Sequence, residues 1–174
     1  GAHAVFTIGE THMAWGSGSM GFGLWRKSGA VERRDGSSGR GTIGWSAHGS
    51  QRVWSGSPTG EGEGAADLTL IAQYGAADAQ VSDISRHLSV GLVASGVLGS
   101  GPEHAAGVRY SRAVLSHYGA EPYAGEETNW EVFVKFPAAP FLTLTPDLQY
   151  VMHPSGSLTV RNALVASVRA VLTL

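Results

Sequence analysis

Trp25, Asp67, Gln73, Arg109, Glu131, Phe133, Lys135, Asp147, Gln149 and Arg169 have the types and spacing to line a polar surface without covalent chemistry. In alternating runs they take the parity opposite to the apolar residues. Asp147 and Gln149 stand against Leu142, Leu144, Leu148 and Tyr150, and Arg169 against Leu164, Ala166, Val168 and Ala170. A strand sends successive side chains to opposite faces, so such runs are apolar on one side and polar on the other. Mixed donors and acceptors offer exchangeable hydrogen bonds to an uncharged, hydroxyl-rich solute, and the rings of Trp25 and Phe133 can stack on a sugar. The competing expectation is that these charges pair across strands and stiffen the sheet.

Other chemistries find less support. The 7 histidines, His3, His12, His48, His87, His104, His117 and His153, show no metal-ligand spacing and read as surface or loop residues. Gly16-Ser17-Gly18-Ser19 reads as a turn and not as the nucleophile elbow of a hydrolase. The stretch Gly56 to Gly64 lacks the Gly-Lys-Ser/Thr ending of a phosphate loop, and its two glutamates would repel phosphate. We therefore expect neither an enzyme nor a cofactor; a lipase-like Ser/His pair around His12 is the residual enzymatic reading.

The elements that must position the polar set are strands. With 12 basic against 14 acidic residues, the chain is not a nucleic-acid binder by charge. Only 15% of its residues are charged, against roughly 25% in an ordinary soluble domain, and it has 25 Gly and no Cys. No run approaches the roughly 18 apolar residues of a membrane helix. No signal peptide is visible, and the lack of an initiator Met before Gly1 reads as processing or truncation.

Short alternating runs predict an all-β antiparallel meander of about eight to ten strands, treated as one domain over residues 1–174. The expected strands are Ala4 to Ala14, Met20 to Ser28, Gly41 to Trp54, Ala66 to Gly75, Leu88 to Leu98, Ala105 to Leu115, Thr128 to Phe136, Phe141 to Met152 and Asn162 to Thr173. Most are long enough to cross a bilayer at a tilt. Tight connections (Gly16 to Ser19, Gly99 to His104, Pro137 to Pro140) alternate with longer charged ones (Gly29 to Arg40, Ala76 to His87, Ser116 to Glu127), as periplasmic turns alternate with outer loops. Ser55 to Ala65 and His153 to Arg161 depart from that order. Trp45, Tyr74, Tyr110, Trp130 and Tyr150 all take the apolar parity near the outer ends, as a membrane-interface girdle would. Arg26 and Arg112 share that parity and that end, where long side chains reach the headgroups.

The run Phe141-Leu142-Thr143-Leu144-Thr145-Pro146-Asp147-Leu148-Gln149-Tyr150-Val151-Met152-His153-Pro154-Ser155-Gly156 resembles the penultimate strand and loop of the carbohydrate-selective porins, the OprB family. Asp83 to Leu92 with the turn Gly96-Val97-Leu98, Ala106 to Arg112, and Asn162-Ala163-Leu164-Val165 resemble other strands of the same family, in the same order. The resemblance implies the C-terminal half of a bacterial outer-membrane β-barrel of about sixteen strands, passing small sugars passively through a water-filled lumen. The partners expected with it are outer-membrane lipid and lipopolysaccharide, while the choice between a monomer and an oligomer of like chains stays open. Such barrels end on an aromatic residue, whereas this sequence ends on Leu174. Two other readings are a small barrel serving as anchor or adhesin without an open pore, and a soluble carbohydrate-binding β-sandwich.

Overall fold

The structure is a computed structural model that describes residues 4–56, 65–98, 103–116 and 123–173. His3, His117, Leu174 and the glycine-rich residues 57–64 lie outside the described residues. The described chain forms one antiparallel sheet of nine strands in sequence order: β1 (Phe6–Trp15), β2 (Gly18–Glu32), β3 (Ser38–Ser55), β4 (Asp67–Ala77), β5 (Ile84–Ser95), β6 (Ala105–Leu115), β7 (Glu126–Ala139), β8 (Leu142–Met152) and β9 (Ala163–Leu172). A 3₁₀ turn at Pro154–Gly156 interrupts the β8–β9 connection. Each strand pairs with its sequence neighbour, and β1 and β9 are open edges.

The strands follow from their composition. β8 and β9 alternate Leu, Val and Ala with Thr, Asp, Gln, Ser and Arg, which favours a pleated backbone with two unlike faces. Pairing extends some strands past the bounds read from the sequence. β2 runs to Glu32, because a one-residue register shift between Lys27 and Ala30 lets it resume pairing with Arg40 to Ser38. The expected loop Gly29 to Arg40 thereby shrinks to a turn closed by hydrogen bonds between Arg33 and Ser37 and between Gly36 and Arg33.

The sheet is a single layer. Among the described residues the buried apolar side chains are only Val31 and Ala105, and no large side chain is fully enclosed. Among the described residues no second sheet packs on either face, so the sandwich reading is not the architecture found: a sandwich requires an apolar core between two layers.

Candidate functional site

Residues that face each other across an antiparallel ladder share a face of the sheet. Arg109, Glu131, Gln149 and Val165 are successive partners from β6 to β9. One row along, Gly107, Phe133, Asp147 and Ser167 follow. Asp67, Ser95, Ala105 and Lys135 make the next row, whose level on β8 and β9 is held by Thr145 and Arg169. Gln73 belongs to the row of His48, Ser89, Ser111 and Asn129. Trp25 lies opposite Gly44 on the same side. Register thus brings the whole sequence-predicted polar set to one face.

The set divides into bound and free groups. Arg109 forms an ion pair with Glu131 across β6 and β7. Asn129 Nδ2 donates to Gln149 Oε1 at 3.0 Å, Gln149 Nε2 donates to Asp147 Oδ1 at 2.8 Å, and the Ser167 hydroxyl donates to Asp147. These groups stiffen the wall from β6 to β9, as the cross-strand expectation had it. Thr69 donates to Asp67 at 3.2 Å. Gln73, Lys135 and Arg169 have no side-chain hydrogen bond or ion pair among the described residues, so their donors are available to water.

The two aromatic residues of the predicted set lie flat on the sheet. The rings of Trp25 and Phe133 cover Gly44 and Gly107 on the adjacent strands, and an added Cβ at Gly107 would stand 2.5 Å from Phe133 Cε1 and Cζ. Only glycine admits so close an approach. Trp25 also stacks on Phe6, with centroids 5.9 Å apart. Between these rings the face is hollowed: Ser19, His48, Ser50, Gln73, Ser89 and Arg109 line a concavity of about 370 Å³. His48 and the serines were not singled out from the sequence. Their parity matches that of Gln73, which was the available signal.

The opposite face is apolar. Tyr110, Trp130 and Tyr150 are successive partners, while Trp45 and Tyr74 touch with centroids 5.4 Å apart. The line steps along the strands from Trp45 to Tyr110 and is level from β6 to β8, where Tyr110, Trp130 and Tyr150 share one row. The row of Trp45 passes through Ala76, Arg86 and Val114 to Glu126, which stands four residues before Trp130 on β7. At ~3.3 Å per residue and ~4.8 Å between strands, four residues over the five strand steps from Trp45 to Tyr150 is a mean slope of about 29°.

A second aromatic line, which sequence reasoning missed, lies at the other end of this face. Trp15 and Trp54 are exposed there, at 45% and 54%, and Phe136 continues the line on β7. A register shift between Arg52 and Trp54 places Trp54 opposite Leu68, on the same face as Trp45 despite the change of parity. The partners of Trp45 and Trp54 are Ala76 and Leu68, eight residues apart on β4. That is about 26 Å along the strand, or about 22 Å once tilted, against ~25 Å for the apolar band of such barrels. Leu70, Val90, Leu92, Val108, Val132 and Leu148 fill the interval, each 37% exposed or more.

The long connections beyond the first line hold one another. Arg34 pairs with Asp83, its N–H donates to Gln80 O at 2.8 Å, and Ser155 N–H donates to Glu127 at 2.7 Å. In the β2–β3 turn, hydrogen bonds from Ser37 hold the Asp35 carboxyl below the usual carboxylate range. No cluster of three or more His, Cys, Asp or Glu capable of holding a metal occurs among the described residues.

Comparison with known proteins agrees with this geometry. Residues 16–174 match the family described as carbohydrate-selective porin, OprB family. Porin AaxA of Chlamydia muridarum is 26% identical over 133 residues, covering 74% of this chain and 26% of that protein. Porin AaxA of Chlamydia trachomatis serovar L2 is 28% identical over 131 residues, with the same coverage of each. The high-pH structure of Pseudomonas putida OprB shares the fold at a TM-score of 0.74 and 21% identity, covering 97% of this chain and 47% of that one. The chain therefore spans about half of that structure and 26% of the length of the curated relatives.

Proposed function

This chain belongs to the carbohydrate-selective porins of the OprB family, and from that premise we propose that it forms about half the wall of an outer-membrane β-barrel through which small sugars diffuse passively. The observation that carries this reading is the single-layer sheet, polar on one face and apolar on the other between two aromatic lines. An apolar face without protein cover is stable against lipid, and a polar face without cover is stable against water.

The polar face suits neutral, hydroxyl-rich solutes. Arg109, His48, Gln73 and the serines around the concavity offer donors and acceptors in exchange for water. Because Arg109 is already paired with Glu131, the wall presents little unbalanced charge there. Weak contacts of this kind admit a solute and release it, as diffusion requires, with no cofactor and no covalent step.

The strand count constrains the complement. Nine antiparallel strands leave β1 and β9 running in the same direction. A closed antiparallel barrel of even strand number then needs an odd number of further strands, and seven would make about sixteen. Two copies of this chain would meet in parallel at both seams, so the missing wall is expected from other strands of the same longer protein. The test is planar-bilayer recording of the full-length protein. Stepwise openings reduced by added sugar are expected; a folded barrel that never conducts would favour the anchor reading instead.

A further inference from the structure

Arg26, Arg86 and Arg112 stand on the apolar face, at or beyond the outer aromatic line. Arg26 is two residues beyond Leu24, the β2 partner of Trp45; Arg86 lies in the row of Trp45; and Arg112 is two residues beyond Tyr110. All three are exposed. Arg86 is opposite Val114 and Arg112 is opposite Leu88, so the two are diagonal neighbours on adjacent strands. Such positions are about 7–8 Å apart, close enough for two guanidinium groups to reach one ligand.

Their partners are incomplete. Arg112 Nε donates to Glu126 Oε2 at 2.6 Å. Arg86 and Arg26 have neither an ion pair nor a side-chain hydrogen bond among the described residues. An arginine on this face has apolar surface below it and headgroups or water above it. A guanidinium is weakly hydrated and presents its N–H groups in a plane that matches the oxygens of a phosphate.

We propose that Arg86 and Arg112 together, with Arg26 three strands away, hold phosphate groups of lipid headgroups in the outer leaflet. The source is a lipid, not free phosphate, because the site stands against exposed Trp45 and half-buried Tyr74 and Tyr110 on the apolar side of the sheet. Glu126 orients Arg112 and competes with the ligand for it, so its removal strengthens binding. The inference rests on the membrane-barrel reading and adds to it a headgroup chemistry and named contacts.

The test reconstitutes the full-length protein in phosphatidylcholine vesicles with and without bis-phosphorylated lipid A, and counts retained lipid A by native mass spectrometry. Wild type is expected to retain the phosphorylated lipid and to lose it when the phosphates are removed. The Arg86→Gln/Arg112→Gln variant should lose at least tenfold in affinity, Arg26→Gln less, and Glu126→Gln should gain. Each variant should still insert into phosphatidylcholine, which keeps loss of the site separate from loss of the barrel. Equal retention by wild type and the double variant, equal binding of dephosphorylated lipid, or full competition by equimolar inorganic phosphate would overturn the proposal. Failure of the wild type to insert into any vesicle would overturn the barrel reading and this inference with it.

Discussion

Arg109 and Glu131 meet as an ion pair across the β6–β7 ladder, and the two are unequally enclosed: the Glu131 side chain is 14% exposed and that of Arg109 49%. Removing the partners should therefore cost unequal amounts. Arg109→Ala leaves an enclosed carboxylate uncompensated and is expected to cost about 1–3 kcal/mol. Glu131→Ala leaves a guanidinium that water reaches, and should cost under about 1 kcal/mol. Denaturant midpoints in detergent compare the two; equal losses would show that the enclosure of Glu131 has no energetic weight. In bilayers, Arg109→Ala should also shift the reversal potential toward cation preference.

Four of the five tryptophans lie on the apolar face and Trp25 lies on the other. Single-tryptophan variants in vesicles of brominated phosphatidylcholine should separate them. Trp15, Trp45, Trp54 and Trp130 should be quenched by bromine near the headgroups. Trp25 should be spared by the lipid and quenched by aqueous acrylamide. Lipid quenching of Trp25 as strong as that of Trp45 would reverse the assignment of the faces.

The flat packing of Phe133 over Gly107 makes a size-specific prediction. Gly107→Val forces the ring off the wall, and the overpacking is expected to cost about 1–3 kcal/mol. Adding Phe133→Ala should recover part of that loss, since the space contested by the two side chains is then free. Thermal midpoints of the two single variants and the double variant decide it; a double variant at the sum of the single losses would mean the ring does not rest there.

Asp35 carries a pH dependence. Hydrogen bonds from Ser37 depress its carboxyl in the folded turn, so the ionised form is favoured by folding. Its contribution is present above the ordinary aspartate range and is lost as pH falls through the folded value. Ser37→Ala should raise the Asp35 titration only part of the way, because the backbone N–H of residue 37 still donates. Carboxyl-carbon NMR in detergent follows this directly; an unchanged midpoint in Ser37→Ala would remove the side-chain contribution.

Much of the fold was legible in single strands. The alternation of Leu142, Leu144, Leu148 and Tyr150 with Thr143, Thr145, Asp147 and Gln149 is a local property, since the pleat sends neighbours to opposite faces wherever the strand lies. The polar set and the outer aromatic line were read that way. Trp54 was not, because its face depends on a register shift in β3 that only pairing with β4 reveals. The reach of β2 to Glu32 escaped for the same reason.

By itself, then, the sequence determined which residues are apolar or polar along each strand, how long the strands are, and which family they resemble. Only the tertiary structure decided that Glu131 meets Arg109, that Trp25 and Phe133 lie on glycines, and that Arg86 and Arg112 are diagonal neighbours. It also decided that the outer aromatic line steps along the strands from Trp45 to Tyr110. The reason is physical: side-chain alternation belongs to one backbone, whereas register is a relation between two, set by hydrogen bonding between strands.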